Sequence, residues 1–161
     1  MSRRYVAFTV AAAITLVLDQ ITKWLARANL VMGDAKTVIS GYWDWELSYN
    51  TGSAFGLFND TSGARWFLTA IGLAASIAII FILRKSDDRA WNAAALGLVF
   101  GGALGNVIDR ILFGKVTDFV LWKVGTFKWP QFNVADAALV VGVIILFLDI
   151  GKKKEPKVKK R

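Results

Sequence analysis

The sequence predicts an all-α membrane protein with four transmembrane helices, a small extracytoplasmic β-rich segment, and a surface loop or helix between spans 3 and 4. Its 161 residues are 55% hydrophobic, which is high for a soluble domain of this length. Its apolar stretches are long enough to cross a ~30 Å hydrocarbon layer as helices. They cover about residues 5–26, 66–83, 91–113 and 132–150. Its basic residues, finally, are unevenly distributed among the connections.

The orientation of the spans follows from those basic residues. Twelve Lys and Arg lie at the N-terminus, in residues 84–90 and in residues 152–161, against four in residues 28–63 and 114–131. Because basic residues collect on the cytoplasmic side, both termini are expected in the cytoplasm. The two outer connections are then extracytoplasmic, in a protein that crosses the membrane several times.

The net charge of +8 is concentrated at the C-terminus, where residues 152–161 hold seven basic residues and one acid. We interpret this run as a cytoplasmic tail beside anionic membrane lipid. Residues 1–151 then form a single four-helix domain. Since no basic stripe interleaved with aromatic residues occurs elsewhere, nucleic acid is not an expected partner.

The chain contains no Cys and no His. Thiol nucleophiles, Cys/His zinc sites, catalytic triads with His and an imidazole base are therefore excluded. Any chemistry must come from carboxylates, Lys, Arg, hydroxyls or the backbone.

The two outer connections carry different patterns. Residues 42–50 alternate apolar and polar side chains, which predicts a half-buried strand. Asn50-Thr51-Gly52 follows it as a turn. Residues 114–131 mix aromatic, aliphatic and Lys residues, which favours a segment lying on the membrane surface.

Polar residues within the spans are candidate functional groups because their burial in lipid is costly. Asp149 is expected at the cytoplasmic end of the last span as an interfacial charge. At ~1.5 Å per helical residue, seven others fall in the outer third of the membrane. They are Asp19, Lys23, Asn106, Asp109, Arg110, Asn133 and Asp136. The sequence therefore predicts one polar layer beside the outer connections.

Spacing within this layer favours structural pairs for some members. Asp19 and Lys23 are four residues apart and share a helix face, where they can neutralise each other. Asn106, Asp109 and Arg110 also share a face, on a helix whose glycines permit close packing.

Asp118 and Asp136 remain without an obvious local partner, and both are expected at the outer membrane boundary. Two adjacent carboxylates share a proton, so one can deprotonate water while the other polarises a carbonyl. Carboxylate pairs also bind cations, and spacing alone does not separate these functions. A small polytopic transporter or ion- or proton-conducting protein is one alternative, and a noncatalytic assembly subunit is another.

The chain resembles the bacterial lipoprotein signal peptidases, or signal peptidase II, which are integral membrane aspartic peptidases. The resemblance covers about residues 5–150 and depends on five segments in a fixed order. They are Leu18–Lys23 (LDQITK), Tyr49–Phe55 (YNTGSAF), Gly101–Arg110 (GGALGNVIDR), Val116–Phe119 (VTDF) and Phe132–Asp136 (FNVAD).

The resemblance implies that Asp118 and Asp136 are the catalytic dyad. It also implies a set of supporting or substrate-binding motif residues: Asp19, Lys23, Asn50, Gly52, Asn106, Arg110, Asn133 and Ala135. Members of this family cleave diacylglyceryl-modified prolipoproteins on the N-terminal side of the modified cysteine, and globomycin inhibits them. No metal or organic cofactor is implied, and a monomer is expected.

Further roles are hypotheses about this site. Asn50 and Arg110 are expected to bond the substrate main chain, and residues 42–59 to close over it. Asn133 is expected to orient a carboxylate or the attacking water.

Overall fold

The computed structural model describes residues 2–52, 61–86 and 89–152. These residues form four helices and a small antiparallel sheet, whose strands lie between α1 and α2 and between α3 and α4 in the chain. The helices are α1 (Arg3–Asn29), α2 (Thr61–Lys85), α3 (Ala90–Phe113) and α4 (Val134–Lys152). The strands are β1 (Lys36–Ile39), β2 (Trp43–Asn50), β3 (Val116–Val124) and β4 (Phe127–Lys128).

Large apolar side chains are exposed along the helices. On α1 they include Val6, Val10, Ile14, Val17 and Ile21. Such faces are stable in contact with lipid. In the described part of the chain, three helices are long and apolar enough to cross a membrane: Arg3–Asn29, Gly63–Lys85 and Ala90–Phe113. A fourth span along α4 stays a prediction, and residues 153–161 of the expected tail lie outside the described residues.

Helix α3 lies in the middle of the bundle and packs against α1, α2 and α4. Two adjacent glycines of α3 allow this close approach, Gly101 on the side facing α1 and Gly102 on the side facing α4. A Cβ atom on Gly101 would lie 2.7 Å from the Ala12 carbonyl oxygen in α1. One on Gly102 would lie 2.5 Å from the Ala135 carbonyl oxygen in α4. The prediction that glycines permit close helix packing is confirmed.

The ends of the helices remote from the sheet are joined by polar contacts. Asp149 of α4 accepts hydrogen bonds from Asn92 Nδ2 at 2.7 Å and from Arg89 at 3.2 Å. The Arg4 guanidinium donates to the Ser86 carbonyl. These contacts hold the bundle together at the end opposite the polar layer.

The strands form one antiparallel sheet in the order β1-β2-β3-β4. The predicted strand in residues 42–50 is confirmed as β2. Strand β1 was not predicted, because its four residues are all exposed and show no alternation of burial. In the β2–β3 register Ser48 lies opposite Asp118, and Asn50 lies opposite Val116.

The sequence interpretation of residues 114–131 as a surface loop or helix is wrong, since most of this segment is strand β3 and the short strand β4. The first six residues of β3 are all buried. One face packs against α1 and β2, where Phe119 contacts Ala26 and Trp45. The edges of the strand are paired as well, one with β2 and the other, at Val120, with Phe132 through backbone hydrogen bonds. Because six consecutive residues are buried, side chains on both faces of β3 are covered. A strand covered on both faces needs no alternating pattern, which is why its apolar run was misread.

Candidate active site

Asp19 and Lys23 form the buried pair that their spacing predicts. The Lys23 ammonium lies 2.9 Å from Asp19 Oδ2, and both side chains are fully buried. The other oxygen of Asp19 accepts a hydrogen bond from the Ala135 N–H at 2.9 Å. Ala135 is the second residue of α4, so the carboxylate also interacts favourably with a helix N-terminus. A Cβ atom on Gly105 would lie 2.4 Å from Asp19 Oδ2, so glycine leaves the room that this carboxylate occupies.

Asn106 connects the buried pair to Asp136. Its Oδ1 accepts hydrogen bonds from the Lys23 ammonium at 2.9 Å and from Asn133 Nδ2 at 3.2 Å. Its Nδ2 donates to Asp136 Oδ1 at 2.8 Å. Because an ammonium group can only donate, Lys23 fixes the orientation of the Asn106 amide. The nitrogen of that amide therefore faces Asp136.

Asn133 immediately precedes α4 and contacts both candidate catalytic carboxylates. Its Oδ1 accepts a hydrogen bond from the Asp136 N–H at 3.0 Å, and Asp136 Oδ2 accepts one from the Asn133 N–H at 3.3 Å. This reciprocal pattern is a capping box with Asp in the usual position of Glu. The Asn133 Nδ2 also donates to Asp118 Oδ1 at 2.7 Å. One amide thereby brings β3 and α4 together.

Asp118 is almost entirely buried, at 3% exposure. Its pKa is raised to about 7 by burial and then by the charge of Asp136. The amides of Asn133 and Asn50 and the charge of Lys23 oppose this rise without cancelling it. Asp118 therefore holds a proton near neutral pH while standing next to a second carboxylate.

The predicted turn after β2 is present. Asn50 Oδ1 accepts a hydrogen bond from the Gly52 N–H at 2.9 Å, and Gly52 has a φ of +86°, which glycine adopts without strain. The turn keeps the Asn50 amide beside Asp118. The remainder of the segment expected to close over the site, residues 53–59, lies outside the described residues.

Asp109 and Arg110 are neighbours in sequence, but they have separate surroundings. Asp109 is fully buried, lies 3.9 Å from Lys23 and 3.5 Å from Arg27, and accepts a hydrogen bond from the Thr117 N–H at 2.8 Å. Arg110 interacts electrostatically with Asp136 and Asp118. Among the described residues, its guanidinium makes one weak hydrogen bond, to the Asn106 carbonyl at 3.5 Å. Arg110 is thus a cation beside the two carboxylates with donors left for a ligand.

Two residues of this network were missed by the sequence analysis. Arg27 donates to Thr117 Oγ1 at 2.8 Å, and Thr117 is fully buried next to Asp118. The signal for Arg27 was its position four residues after Lys23, which continues the polar face of α1. Thr117 lies within the VTDF segment, but no local pattern predicts its role, since its partners come from α1, α3 and Asn133.

The arrangement brings two carboxylates together with amide donors on both and a cation beside them. A protonated and an ionised carboxyl group at one site can carry out acid and base steps on the same substrate. In the ranges that the structure describes, no three carboxylates gather in a way that could hold a metal ion.

Comparison with known proteins identifies the family. Residues 11–152 match the family model of signal peptidase (SPase) II. The chain belongs to the signal peptidase II family. A lipoprotein signal peptidase of Polynucleobacter necessarius subsp. necessarius (strain STIR1) is 45% identical over 144 residues, which cover 89% of this chain and 86% of that protein. One from Xanthomonas oryzae pv. oryzae (strain PXO99A) is 41% identical over 135 residues, covering 83% and 81%.

The fold agrees with this family. A bacterial membrane enzyme solved at 2.3 Å resolution superposes with a TM-score of 0.84 and 31% identity, over 96% of this chain and 93% of the other. The chain is therefore a membrane-embedded lipoprotein signal peptidase of the aspartic type. The alternatives of a small transporter and of a noncatalytic assembly subunit are set aside by this finding.

Proposed function

We propose that Asp118 and Asp136 are the catalytic dyad of this signal peptidase. The observation that carries the proposal is the Asn133 side chain, which bonds Asp118 and caps the helix turn holding Asp136. The raised pKa of Asp118, about 7, adds that this carboxyl group can hold a proton near neutral pH. One acid and one base at a single site are what peptide hydrolysis by water requires.

Asp136 is assigned as the base. Both of its oxygens accept hydrogen bonds from nitrogen donors, Asn106 Nδ2 and the Asn133 N–H, so the carboxylate is held in a fixed orientation as an acceptor. Asp118 is assigned as the acid, because burial beside a second carboxylate favours its protonated form.

The reaction follows from these assignments. Asp136 removes a proton from water while the water oxygen attacks the scissile carbonyl carbon, and protonated Asp118 donates to the carbonyl oxygen. The tetrahedral intermediate then collapses, the C–N bond breaks, and the departing amine takes up a proton from the dyad. The products are a signal peptide ending in a carboxylate and a lipoprotein beginning with the modified cysteine.

The remaining motif residues support this chemistry in different ways. Asp19, Lys23 and Ala135 anchor the start of α4, and Asn106 transmits this anchoring to Asp136. Gly52 lets the chain turn so that Asn50 stays beside Asp118. Asn50 and Arg110 hold the substrate main chain, since both lie at the dyad and carry donors.

The substrate class follows from the family. We propose diacylglyceryl-modified prolipoproteins as substrates, with the acyl chains in membrane lipid and the scissile bond at the outer membrane boundary. Globomycin is the expected inhibitor. We propose that the chain acts as a monomer.

The proposed membrane topology has four spans, with α4 as the last. Both termini lie in the cytoplasm of a bacterium, and the dyad faces the extracytoplasmic side. The uneven distribution of basic residues supports this orientation. Residues 1–151 act as one peptidase domain, and residues 152–161 act as a basic tail that is dispensable for catalysis in detergent.

A reconstitution assay tests the function. The purified chain in proteoliposomes is expected to cut a diacylglyceryl-modified precursor directly before the modified cysteine, as read by the masses of both products. The matched control is the same precursor without the lipid, which stays uncut. Added hydroxylamine should give no hydroxamate, because water attacks without an acyl-enzyme. Cleavage of the unmodified precursor at equal rate, or formation of a hydroxamate, would contradict the proposal.

A further inference from the structure

Arg27 lies outside all five motif segments, yet its guanidinium reaches the interior of the site. It donates to Thr117 Oγ1 at 2.8 Å, lies 3.5 Å from Asp109 Oδ1, and stacks over the Phe113 ring at 4.4 Å. Only 21% of its side chain is exposed. A planar guanidinium suits these simultaneous contacts, because it stacks on a ring and donates in its own plane.

Thr117 is held at three atoms, and it shares a peptide bond with Asp118. Its N–H donates to Asp109 Oδ2 at 2.8 Å, its hydroxyl accepts from Arg27, and its carbonyl accepts from Asn133 Nδ2 at 3.3 Å. The residue is fully buried. Displacement of Thr117 would therefore move the Asp118 backbone and the Asn133 amide together.

Arg27 also affects the second carboxylate through the distribution of charge. Two buried carboxylates, Asp19 and Asp109, face two cations, Lys23 and Arg27. Lys23 lies 2.9 Å from Asp19 but 3.9 Å from Asp109. Because Arg27 neutralises Asp109 from the other side, the Lys23 ammonium can stay on Asp19 and Asn106. Without Arg27, Asp109 would attract Lys23 away from Asn106, whose amide orients Asp136.

We propose that Arg27 is a positioning residue for the peptidase reaction. It fixes Asp118 through Thr117 and fixes Asp136 by leaving Lys23 bonded to Asn106. This inference rests on the proposed dyad. It adds to the site a residue that touches neither reacting carboxylate.

A role limited to joining α1 and α3 makes a different prediction. In that case loss of Arg27 lowers stability, and the folded fraction works at the normal rate. If Arg27 positions the dyad, the folded enzyme itself turns over more slowly. Substrate affinity is kept, because Arg27 has no contact with the Asn50 and Arg110 donors in the described residues.

The test compares kcat and KM of folded enzyme for Arg27→Gln, Arg27→Lys and Thr117→Val, with Arg89→Gln as the matched control. Arg89 forms an ion pair at the opposite end of the bundle. We expect kcat to fall roughly ten- to a hundredfold in Arg27→Gln and Thr117→Val, as for misplaced catalytic groups, with KM nearly unchanged. Arg27→Lys keeps the charge but loses the stacked, planar donor, so its kcat lies in between. The Arg89→Gln variant keeps the parent kcat.

Two further variants separate positioning from general damage. Thr117→Ser retains the hydroxyl and is expected to restore most of the rate lost in Thr117→Val. The double variant Arg27→Gln/Thr117→Val should lose less than the product of the single effects, because both remove one shared contact. If Arg27→Gln does not fold, the comparison of Thr117→Ser with Thr117→Val, together with kcat of Arg27→Lys, tests the same proposal.

Parent-like kcat in folded Arg27→Gln or Thr117→Val overturns the proposal, and so does equal loss in Thr117→Ser and Thr117→Val. If Asp118→Asn is inactive in the same assay, these outcomes contradict only the role of Arg27, and the proposed dyad still stands. An active Asp118→Asn would instead contradict the proposed function itself.

Discussion

The Asn133 side chain accepts a hydrogen bond from the Asp136 N–H at 3.0 Å, and the Asp136 carboxylate accepts one from the Asn133 N–H at 3.3 Å. The same cap that begins α4 thus aims a candidate catalytic carboxylate. Since the Asn133 amide also reaches Asp118 at 2.7 Å, helix capping and dyad geometry depend on a single side chain.

Two substitutions at Asn133 separate these tasks. Asn133→Ala removes the cap and the Asp118 contact, so it should lower stability by ~1 kcal/mol and strongly reduce kcat. Asn133→Ser keeps a capping oxygen but is too short to donate to Asp118. Its thermal unfolding temperature in detergent should lie between those of the parent and Asn133→Ala, because the cap is kept while the buried contacts of Nδ2 are lost. Its kcat should fall like that of Asn133→Ala. Equal kcat in Asn133→Ser and the parent would show that the contact with Asp118 is dispensable.

Lys23 is predicted to act mainly through stability. Lys23→Ala leaves the fully buried Asp19 without its cation, and breaking a buried pair in this way costs about 3–5 kcal/mol. Low yield in membranes and a much lower unfolding temperature are the expected results. Lys36→Ala is the control, because Lys36 bonds only an exposed carbonyl among the described residues. A fully stable but inactive Lys23→Ala protein would show that Lys23 acts mainly on the dyad, through Asn106 or directly, and that the predicted loss of stability is wrong.

Gly105 is predicted to tolerate no side chain. The added Cβ of Gly105→Ala would meet Asp19 Oδ2 at 2.4 Å, so α1 and α3 must separate at a cost of about 1–3 kcal/mol. Thermal unfolding of the purified variant measures this loss. Gly125→Asn, at a turn with nothing within 4 Å, should leave the unfolding temperature nearly unchanged. Equal behaviour of the two variants would argue against close packing at Gly105.

The raised pKa of Asp118, about 7, predicts how activity depends on pH. Asp118 must hold a proton to act as the acid, so kcat should fall as pH rises through about 7. A kcat that instead increases through this range and stays high would assign the proton to another group.

Stability should change with pH in the same range. A carboxyl group with a folded pKa above its unfolded value contributes fully below about pH 4, and this contribution is lost as pH rises to about 7. The parent protein should therefore lose more stability over this interval than Asp118→Asn, which stays neutral. Parallel unfolding temperatures of the two proteins from pH 4 to 8 would contradict the raised pKa.

The sequence predicted those parts of the fold that local patterns specify. Apolar length identified the helices, alternation identified β2, and four-residue spacing identified the pair of Asp19 and Lys23. Strand β3 was misread because both faces are buried, so its side chains lack the alternation that marks a strand. The short, exposed β1 gave no signal at all.

The site was predicted only in part for a related reason. Depth in the membrane grouped the polar residues correctly, and the resemblance supplied the roles of Asp118 and Asp136. Sequence could not show that Asn133 bonds both of them, since that contact depends on where β3 meets α4. The Arg27 contact with Thr117 likewise joins residues that are distant in the chain.

The central claim is that Asp118 and Asp136 together hydrolyse the substrate. Its most direct test is processing of a diacylglyceryl-modified precursor by purified Asp118→Asn and Asp136→Asn, with Asp44→Asn as the control. Asp44 is also a buried carboxylate, but it pairs with Lys123 in the sheet. We predict that both dyad variants fold and insert in the membrane without yielding cleaved product, while Asp44→Asn remains active. Normal processing by either dyad variant would contradict the assignment.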